Sequence, residues 1–145
     1  MNLNVNVCNE IVAAAMKKAT SLSARVSIAV VDAGGNLMSF TRMDGAEIAG
    51  PTLAVDKAYT AVSNRITTDE LATLAAPGGP LFGIHSNGGG RFVIFGGGVP
   101  ILVDGEAVGG IGVSGGAVEE DVACANAGLA RYEELRASTK TLRAG

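Results

Sequence analysis

The residues of this chain that most resemble a reactive site lie in one short segment, Gly110-Ile111-Gly112-Val113-Ser114-Gly115-Gly116. Read as G-x-G-x-x-G, the segment matches the phosphate-binding turn of a dinucleotide-binding fold. Read as G-x-S-x-G, it matches a nucleophile elbow, a turn that exposes the hydroxyl of a serine, here Ser114. The two patterns predict different chemistry, so the surrounding sequence has to decide between them.

The dinucleotide interpretation fails on the sequence after Gly116. A dinucleotide fold needs a helix, a second parallel strand and an acidic residue about 20 positions on. Here the predicted helix takes up most of the remaining chain. Glu119, Glu120 and Asp121 would also lie in its first turn, where their charges repel a pyrophosphate and stabilise the helix end instead.

The nucleophile interpretation depends on a base. His85 is the only histidine in the sequence, and it precedes Ser114, whereas in the elbow fold the histidine follows the serine. Because triads are defined by role and not by order, a hydrolase or isomerase that uses His85 and Ser114 on a small metabolite acid stays open as an alternative. The simpler hypothesis is that the glycines allow a sharp turn and Ser114 caps the following helix.

Composition excludes several classes of protein. The net charge of −3 and an aromatic content of 4% provide neither a basic stripe nor stacking platforms for nucleic acid. No apolar run is long enough to cross a membrane, and the first residues do not form a secretory signal, so a cytoplasmic protein is expected. One histidine and two cysteines are too few for a zinc site, and no metal site is expected. We expect a single domain over residues 1–145.

Periodicity predicts the elements that would position these residues. Helices are predicted at 6–23, 51–63, 70–75 and 117–135, and strands at 26–32, 37–42, 91–95, 99–103 and 107–113. Turn chemistry at 33–36 and at Asp104-Gly105 predicts hairpins, whose short links require antiparallel pairing. The prediction is therefore an α/β (α+β) domain with a five-stranded antiparallel sheet covered by helices.

Four segments also resemble a known family. They are KAYTAVS (57–63), FGGGVPI (95–101), DGEAVGGIGVSGG (104–116) and EEDVACANAGL (119–129). Together they are similar to the GlcG/HbpS-like family, which includes the carboxy-terminal domain of PduO-type cobalamin adenosyltransferases and the OrfY-type proteins of glycerol and diol utilisation clusters. The resemblance runs over about residues 9–135.

The resemblance implies a profilin-like three-layer α/β/α fold and a small-ligand-binding accessory protein. The implied ligand is haem, another tetrapyrrole or a corrinoid, with a link to glycolate, diol or glycerol metabolism. Candidate iron ligands are His85, Cys8, Cys124 and the four methionines, because iron porphyrins take imidazole and soft sulfur ligands. His85 lies in GIHSNGGGR, which matches no shared family motif, so the resemblance assigns it no role.

We expect the ligand pocket to form from the loop 78–91 and the turns 96–98 and 112–116. His85 is a candidate because imidazole titrates near neutrality, and Arg91 because guanidinium binds carboxylates bidentately. The full set of predicted binding residues is Lys57, His85, Arg91, Gly97, Gly98, Ser114 and Gly115, of which His85 and Ser114 are also the candidate catalytic residues.

The apolar share of 48% is high beside 17% charged residues, which favours burial between subunits. A homo-oligomer is expected, at least a dimer and by resemblance a tetramer or octamer. The predicted contact surface is the outside of the first and last helices, with Val122, Ala125 and Leu129. A scaffold protein whose assembly is its activity is a further alternative.

Overall fold

The computed structural model describes residues 3–144, which contain four α-helices and four strands. One helix is followed by two strands, two helices, two strands and a last helix. Two short 3-10 turns, Ile84–Ser86 and Gly88–Gly90, lie in the loop before the third strand. The helices are α1 Val5–Ser21, α2 Gly50–Asn64, α3 Thr68–Leu74 and α4 Val118–Ala144, and the strands are β1 Ser27–Asp32, β2 Leu37–Arg42, β3 Gly98–Val103 and β4 Glu106–Ser114.

The four strands form one antiparallel sheet in the order β2-β1-β4-β3. On one face, α1 and α4 pack against each other and against Ile28, Val30 and Ile111. On the other face, α2 covers β1 and β4. The predicted mixed α/β class, antiparallel pairing and helical cover are confirmed, and the helices form a layer on each side of the sheet.

The prediction of a fifth strand at residues 91–95 is wrong, because that segment pairs with a helix side chain. The Val93 N–H donates to Thr60 Oγ1 of α2 at 3.0 Å, and Thr60 Oγ1 lies 3.3 Å from the Arg91 carbonyl oxygen. The Thr60 hydroxyl donates its single proton to the Asp56 carbonyl oxygen at 2.6 Å and accepts from Val93, so the Val93 N–H is satisfied by α2 and not by a neighbouring strand. The apolar, β-branched composition of the segment reflects packing against the helix and not strand pairing.

The last helix differs from its prediction in length and in orientation. It continues to Ala144 instead of ending near 135, since no glycine or proline occurs between Leu135 and Gly145. Its residues Ala125 and Leu129 face inward: Ala125 is fully buried and Leu129 packs on the core. Val122 likewise faces Gly96, so the surface predicted for subunit contact belongs mainly to the interior.

The glycines of the opening motif explain how closely α2 lies on the sheet. A Cβ atom on Gly112 would be 1.9 Å from the Ala54 carbonyl oxygen, and one on Gly110 would be 2.4 Å from the Ala58 carbonyl oxygen. Two positions apart on a strand, both glycines face α2, while Ile111 between them faces the α1–α4 layer. The G-x-G spacing therefore serves helix-to-strand packing.

We predict that Gly112→Ala destabilises the protein strongly, because neither the strand nor the α2 backbone can move aside cheaply. Overpacking of this kind costs about 3 kcal/mol or more when backbone must shift. Urea unfolding followed by circular dichroism would measure the loss. Gly89→Ala is the control, since a Cβ there meets nothing within 4 Å and only its positive φ opposes it, at about 1 kcal/mol. Equal losses in both variants would contradict the packing explanation.

Candidate functional site

A buried ion pair lies where α2, β4 and α4 meet. Lys57 of α2 is fully buried, and its Nζ donates to the Val113 carbonyl oxygen at 2.8 Å and to Asp121 Oδ2 at 3.2 Å. The Phe95 ring lies 4.9 Å from the same Nζ, in a cation–π arrangement. The lysine is therefore held by three different groups and has no contact with solvent.

Burial governs the electrostatics of this pair. It lowers the pKa of Lys57 below its ordinary value, although the neighbouring Asp121 carboxylate favours the charged ammonium. Burial likewise raises the pKa of Asp121, against the opposing effect of Lys57. Asp121 Oδ1 also accepts from the Gly116 N–H at 2.9 Å, and Glu120 accepts from the Ala117 N–H at 2.9 Å. Asp121 thus stabilises the start of α4, as its position predicts.

Several predicted site residues gather around this pair. A Cβ on Gly97 would lie 2.7 Å from Lys57 Nζ, and one on Gly98 would lie 2.5 Å from the Lys57 carbonyl oxygen. Gly98 also donates its N–H to Thr68 Oγ1 at 2.9 Å. Gly115 belongs to the turn that Asp121 holds. The sequence pattern identified a real cluster, but the Lys57 side chain occupies its centre.

Ser114 has a different role from the predicted helix cap. It ends β4, pairs in register with Ser27 of β1 and is only 3% exposed. The N–H groups before α4 are instead capped by the two carboxylates described above. Ser27 Oγ, next to Ser114, is buried and has no hydrogen-bond partner among residues 3–144.

His85 and Arg91 lie in the glycine-rich loop. His85 is exposed in the turn Ile84–Ser86, and no hydrogen bond joins its side chain to Ser114 within the described part of the chain. A nucleophile and its base need such a bond, so the structure does not assemble this pair. Arg91 is already engaged: its Nε donates to Asp56 Oδ1 at 3.0 Å and its guanidinium lies 3.7 Å above the Tyr59 ring.

A surface groove lies elsewhere, between α1, the turn after α1 and the end of β2. We call it the α1–β2 groove; it is open to solvent, has a volume of about 870 Å³, and falls within the size range of small-molecule sites. Its lining combines apolar side chains, including two thioethers, with three cationic side chains and one carboxylate. The residues that characterise it are Ala13, Met16, Ala24 and Met43, then Lys17, Arg25, Arg42 and Asp44.

The charged side chains that line the groove are mostly cationic. Lys17, Arg25 and Arg42 contribute three positive charges against the single negative charge of Asp44. The Arg42 Nη2 donates to the Ala46 carbonyl oxygen at 2.5 Å, and that bond holds the chain that follows β2. Guanidinium and ammonium groups arranged in this way suit a ligand with carboxylates.

Sequence reasoning missed this groove because its residues belong to three separate elements. One signal was present, because the predicted hairpin of strands 26–32 and 37–42 places Arg25 near the residues that follow the second strand. In the structure, Ser27 pairs with Arg42. The Met43 N–H in fact donates to the Val26 carbonyl oxygen at 3.0 Å. The contribution of α1 depends on how the helix crosses the sheet, and no local pattern encodes that crossing.

Residues 3–144 contain neither a metal-binding cluster nor a membrane-spanning helix. No group of three or more His, Cys, Asp or Glu side chains is arranged to hold a metal ion. None of the helices in that range is both long and apolar enough to span a membrane.

Comparison with known proteins identifies the class of this α/β fold. A model of the family described as haem degrading protein HbpS-like matches residues 3–130. An uncharacterised 15.0 kDa protein from the dhaT-dhaS intergenic region of Citrobacter freundii is 37% identical over 142 residues, which cover 93% of this chain and all of that protein. The chain belongs to the HbpS-like family, as its resemblance predicts.

Two further similarities concern PduO. The corrinoid adenosyltransferase PduO of Citrobacter freundii is 37% identical over 130 residues, or 90% of this chain, and the match spans only 39% of PduO. A crystal structure described as a PduOC–haem complex superposes with a TM-score of 0.86 at 36% identity, covering 90% of this chain and 95% of that one. The described fold is therefore the fold of a haem-complexed relative.

We predict that Asp121→Asn destabilises the protein by about 3 kcal/mol at neutral pH, because it leaves the Lys57 charge buried without a counter-charge. The folded state of the variant then binds the Lys57 proton less tightly than the unfolded state does. Its stability should rise with pH toward about pH 10, where the unfolded lysine also loses its proton. Urea unfolding of the variant and the wild type at several pH values would measure both effects.

The control for this prediction is Arg131→Gln, which removes an exposed ion pair with Glu10. Exposed pairs contribute little, so we expect no measurable change in the free energy of unfolding. If Asp121→Asn were as stable as the wild type at neutral pH, the pair would not be what holds α2 to α4.

Proposed function

We propose that this chain is a cytoplasmic accessory protein that binds haem in the α1–β2 groove. The observation that carries the proposal is the lining of the groove, which combines apolar side chains, two thioethers among them, with three cationic side chains. Haem has the matching parts, a flat apolar ring, an iron that accepts sulfur ligands and two carboxylates. The link to glycolate, diol or glycerol metabolism that the family resemblance implies is part of the same proposal.

The residues of the groove fit each part of the ligand. Ala13 and Ala24 present small apolar surface, which lets a planar ring approach the backbone closely. Lys17, Arg25 and Arg42 supply charges for the propionates. Bound haem supplies a redox-active iron; the protein side chains determine where it sits and which atoms reach it.

Relatives support haem over a corrinoid. The family is described as haem degrading, and a relative 36% identical to this chain is described in complex with haem. The corrinoid alternative rests on the name of PduO, a protein of which this chain matches 39%. The hydrolase or isomerase alternative has no supporting geometry, since Ser114 is buried and His85 makes no hydrogen bond to it within residues 3–144.

We propose in addition that the protein forms a homo-oligomer, a dimer or a higher assembly such as a tetramer or octamer. The exposed surface that α1 and α4 share is the favoured contact, in place of the inward-facing residues predicted from sequence. A second groove of about 570 Å³ runs along it, with Ala127 and Ala130 between charges of opposite sign. Glu10 and Glu134 of this groove are already paired with Arg131, whereas Lys17 and Lys18 form no ion pair among the described residues, and closed two-fold contacts are the commonest kind between identical chains. If the protein is a scaffold whose assembly is its activity, the formation of this homo-oligomer would be its whole function.

We predict that purified protein titrated with haem shows a saturable shift of the Soret band. The double variant Lys17→Gln/Arg25→Gln should bind more weakly by about tenfold, because both side chains are exposed and each lost charged contact is worth about 0.7 kcal/mol. Difference spectroscopy at a fixed salt concentration measures both dissociation constants.

The matched control for this titration is Arg91→Gln, which removes a cationic side chain of the glycine-rich loop that the sequence singled out. It should bind haem as the wild type does. Weakening by Arg91→Gln but not by the groove variant would move the site to the loop 78–91. A titration that does not saturate would refute haem binding itself.

A further inference from the structure

We infer that the thioether sulfurs of Met16 and Met43 ligate the iron when haem is bound. The inference rests on the proposed function, since it names the iron ligands of the same groove. Iron in haem takes axial ligands from a short set of side chains, mainly histidine, cysteine, methionine and tyrosine. Within residues 3–144 the structure separates these candidates by where it places them: neither Tyr59 nor Tyr132 lines the groove, and Met1 lies outside the described residues.

The two cysteines lie out of reach. Cys8 and Cys124 are fully buried in the core cluster between the sheet and the α1–α4 layer. Burial raises the pKa of each thiol to about 11, which disfavours the thiolate that would bind iron. A haem could reach either sulfur only if the core opened.

His85 is accessible but lies in the wrong place. Its turn, Ile84–Ser86, belongs to the loop between α3 and β3, and no residue of that loop lines the α1–β2 groove. Ligation by His85 would require the porphyrin to bind outside the groove, away from Lys17, Arg25 and Arg42. His85 is therefore not a ligand for haem bound in the α1–β2 groove.

Met16 and Met43 approach the groove from its two walls. Met16 lies on α1, one turn before Thr20, and Met43 comes directly after β2, where its N–H is held by the Val26 carbonyl oxygen at 3.0 Å. Both side chains are half-buried, with one side on the core cluster and the other in the groove. Methionine is flexible and its sulfur is a soft donor, so Met16 and Met43 would be the side chains of the groove that hold a haem iron.

Thioether ligation has a consequence that histidine ligation lacks. Methionine as an axial ligand raises the reduction potential of haem iron. The positive charges of Lys17, Arg25 and Arg42 act in the same direction, because they stabilise the more negative ferrous state. The groove should therefore hold haem that is easily reduced.

The test compares Met16→Leu/Met43→Leu with Met38→Leu in haem-loaded full-length protein. Leucine keeps the volume of methionine, so the fold should survive at a cost below about 1.5 kcal/mol per site. Met38 is a matched control because it is also half-buried against the same core but does not line the groove. We expect the double variant to change its Soret position and lower its reduction potential, and Met38→Leu and His85→Ala to leave both unchanged.

A second measurement uses the wild-type sequence alone. Selenomethionine labelling replaces the ligating sulfur by selenium and should shift the iron–ligand charge-transfer band of bound haem. If haem binds saturably but neither the double variant nor selenomethionine labelling changes the spectrum, the inference is overturned and the proposed function stands. If wild-type haem binding does not saturate, the proposed function fails instead.

Discussion

The contact between α2 and β4 is the constraint on which the rest of the structure depends. Gly110 and Gly112 carry no side chain toward α2, so the Ala54 and Ala58 carbonyls lie where Cβ atoms would otherwise be. Because α2 lies so close to β4, Lys57 extends over the end of β4 and its ammonium donates a hydrogen bond to the Val113 carbonyl oxygen. Burial at that depth requires a counter-charge, and Asp121 supplies it from the first turn of α4. One close contact thereby connects α2, the sheet and α4.

The same contact fills the space next to the glycine-rich motif, and the α1–β2 groove lies elsewhere. On the α2 face, the space that a glycine-rich turn would offer to a phosphate or substrate is filled by helix backbone and by Lys57. On the opposite face, the α1 helix and the end of the hairpin diverge, and their side chains leave the α1–β2 groove open. Gly110 and Gly112 of the motif thus serve helix packing, while the residues that line the α1–β2 groove belong to no motif.

Local patterns predicted the helices and the antiparallel β1–β2 and β3–β4 hairpins because each depends on neighbours in sequence, whereas the central β1–β4 pairing joins residues 27–32 to 109–114. They failed at residues 91–95, where the side chain of Thr60 accepts the Val93 N–H hydrogen bond that a strand partner would have accepted. The cluster around Lys57 was anticipated in part, through Gly97, Gly98 and Gly115. Its partner Asp121 was predicted only to stabilise the helix end, since nothing in the sequence shows that residues 57 and 121 meet.

The central claim is that the ligand site lies in the α1–β2 groove and not among the glycine-rich turns. Amide chemical-shift mapping with a diamagnetic haem analogue, gallium protoporphyrin, tests it directly. We expect the largest shifts at residues 13–25 and 41–45, with little change in the loop 78–91 and the turns 96–98 and 112–116. Shifts concentrated in that loop and those turns, with residues 13–25 and 41–45 unaffected, would contradict it.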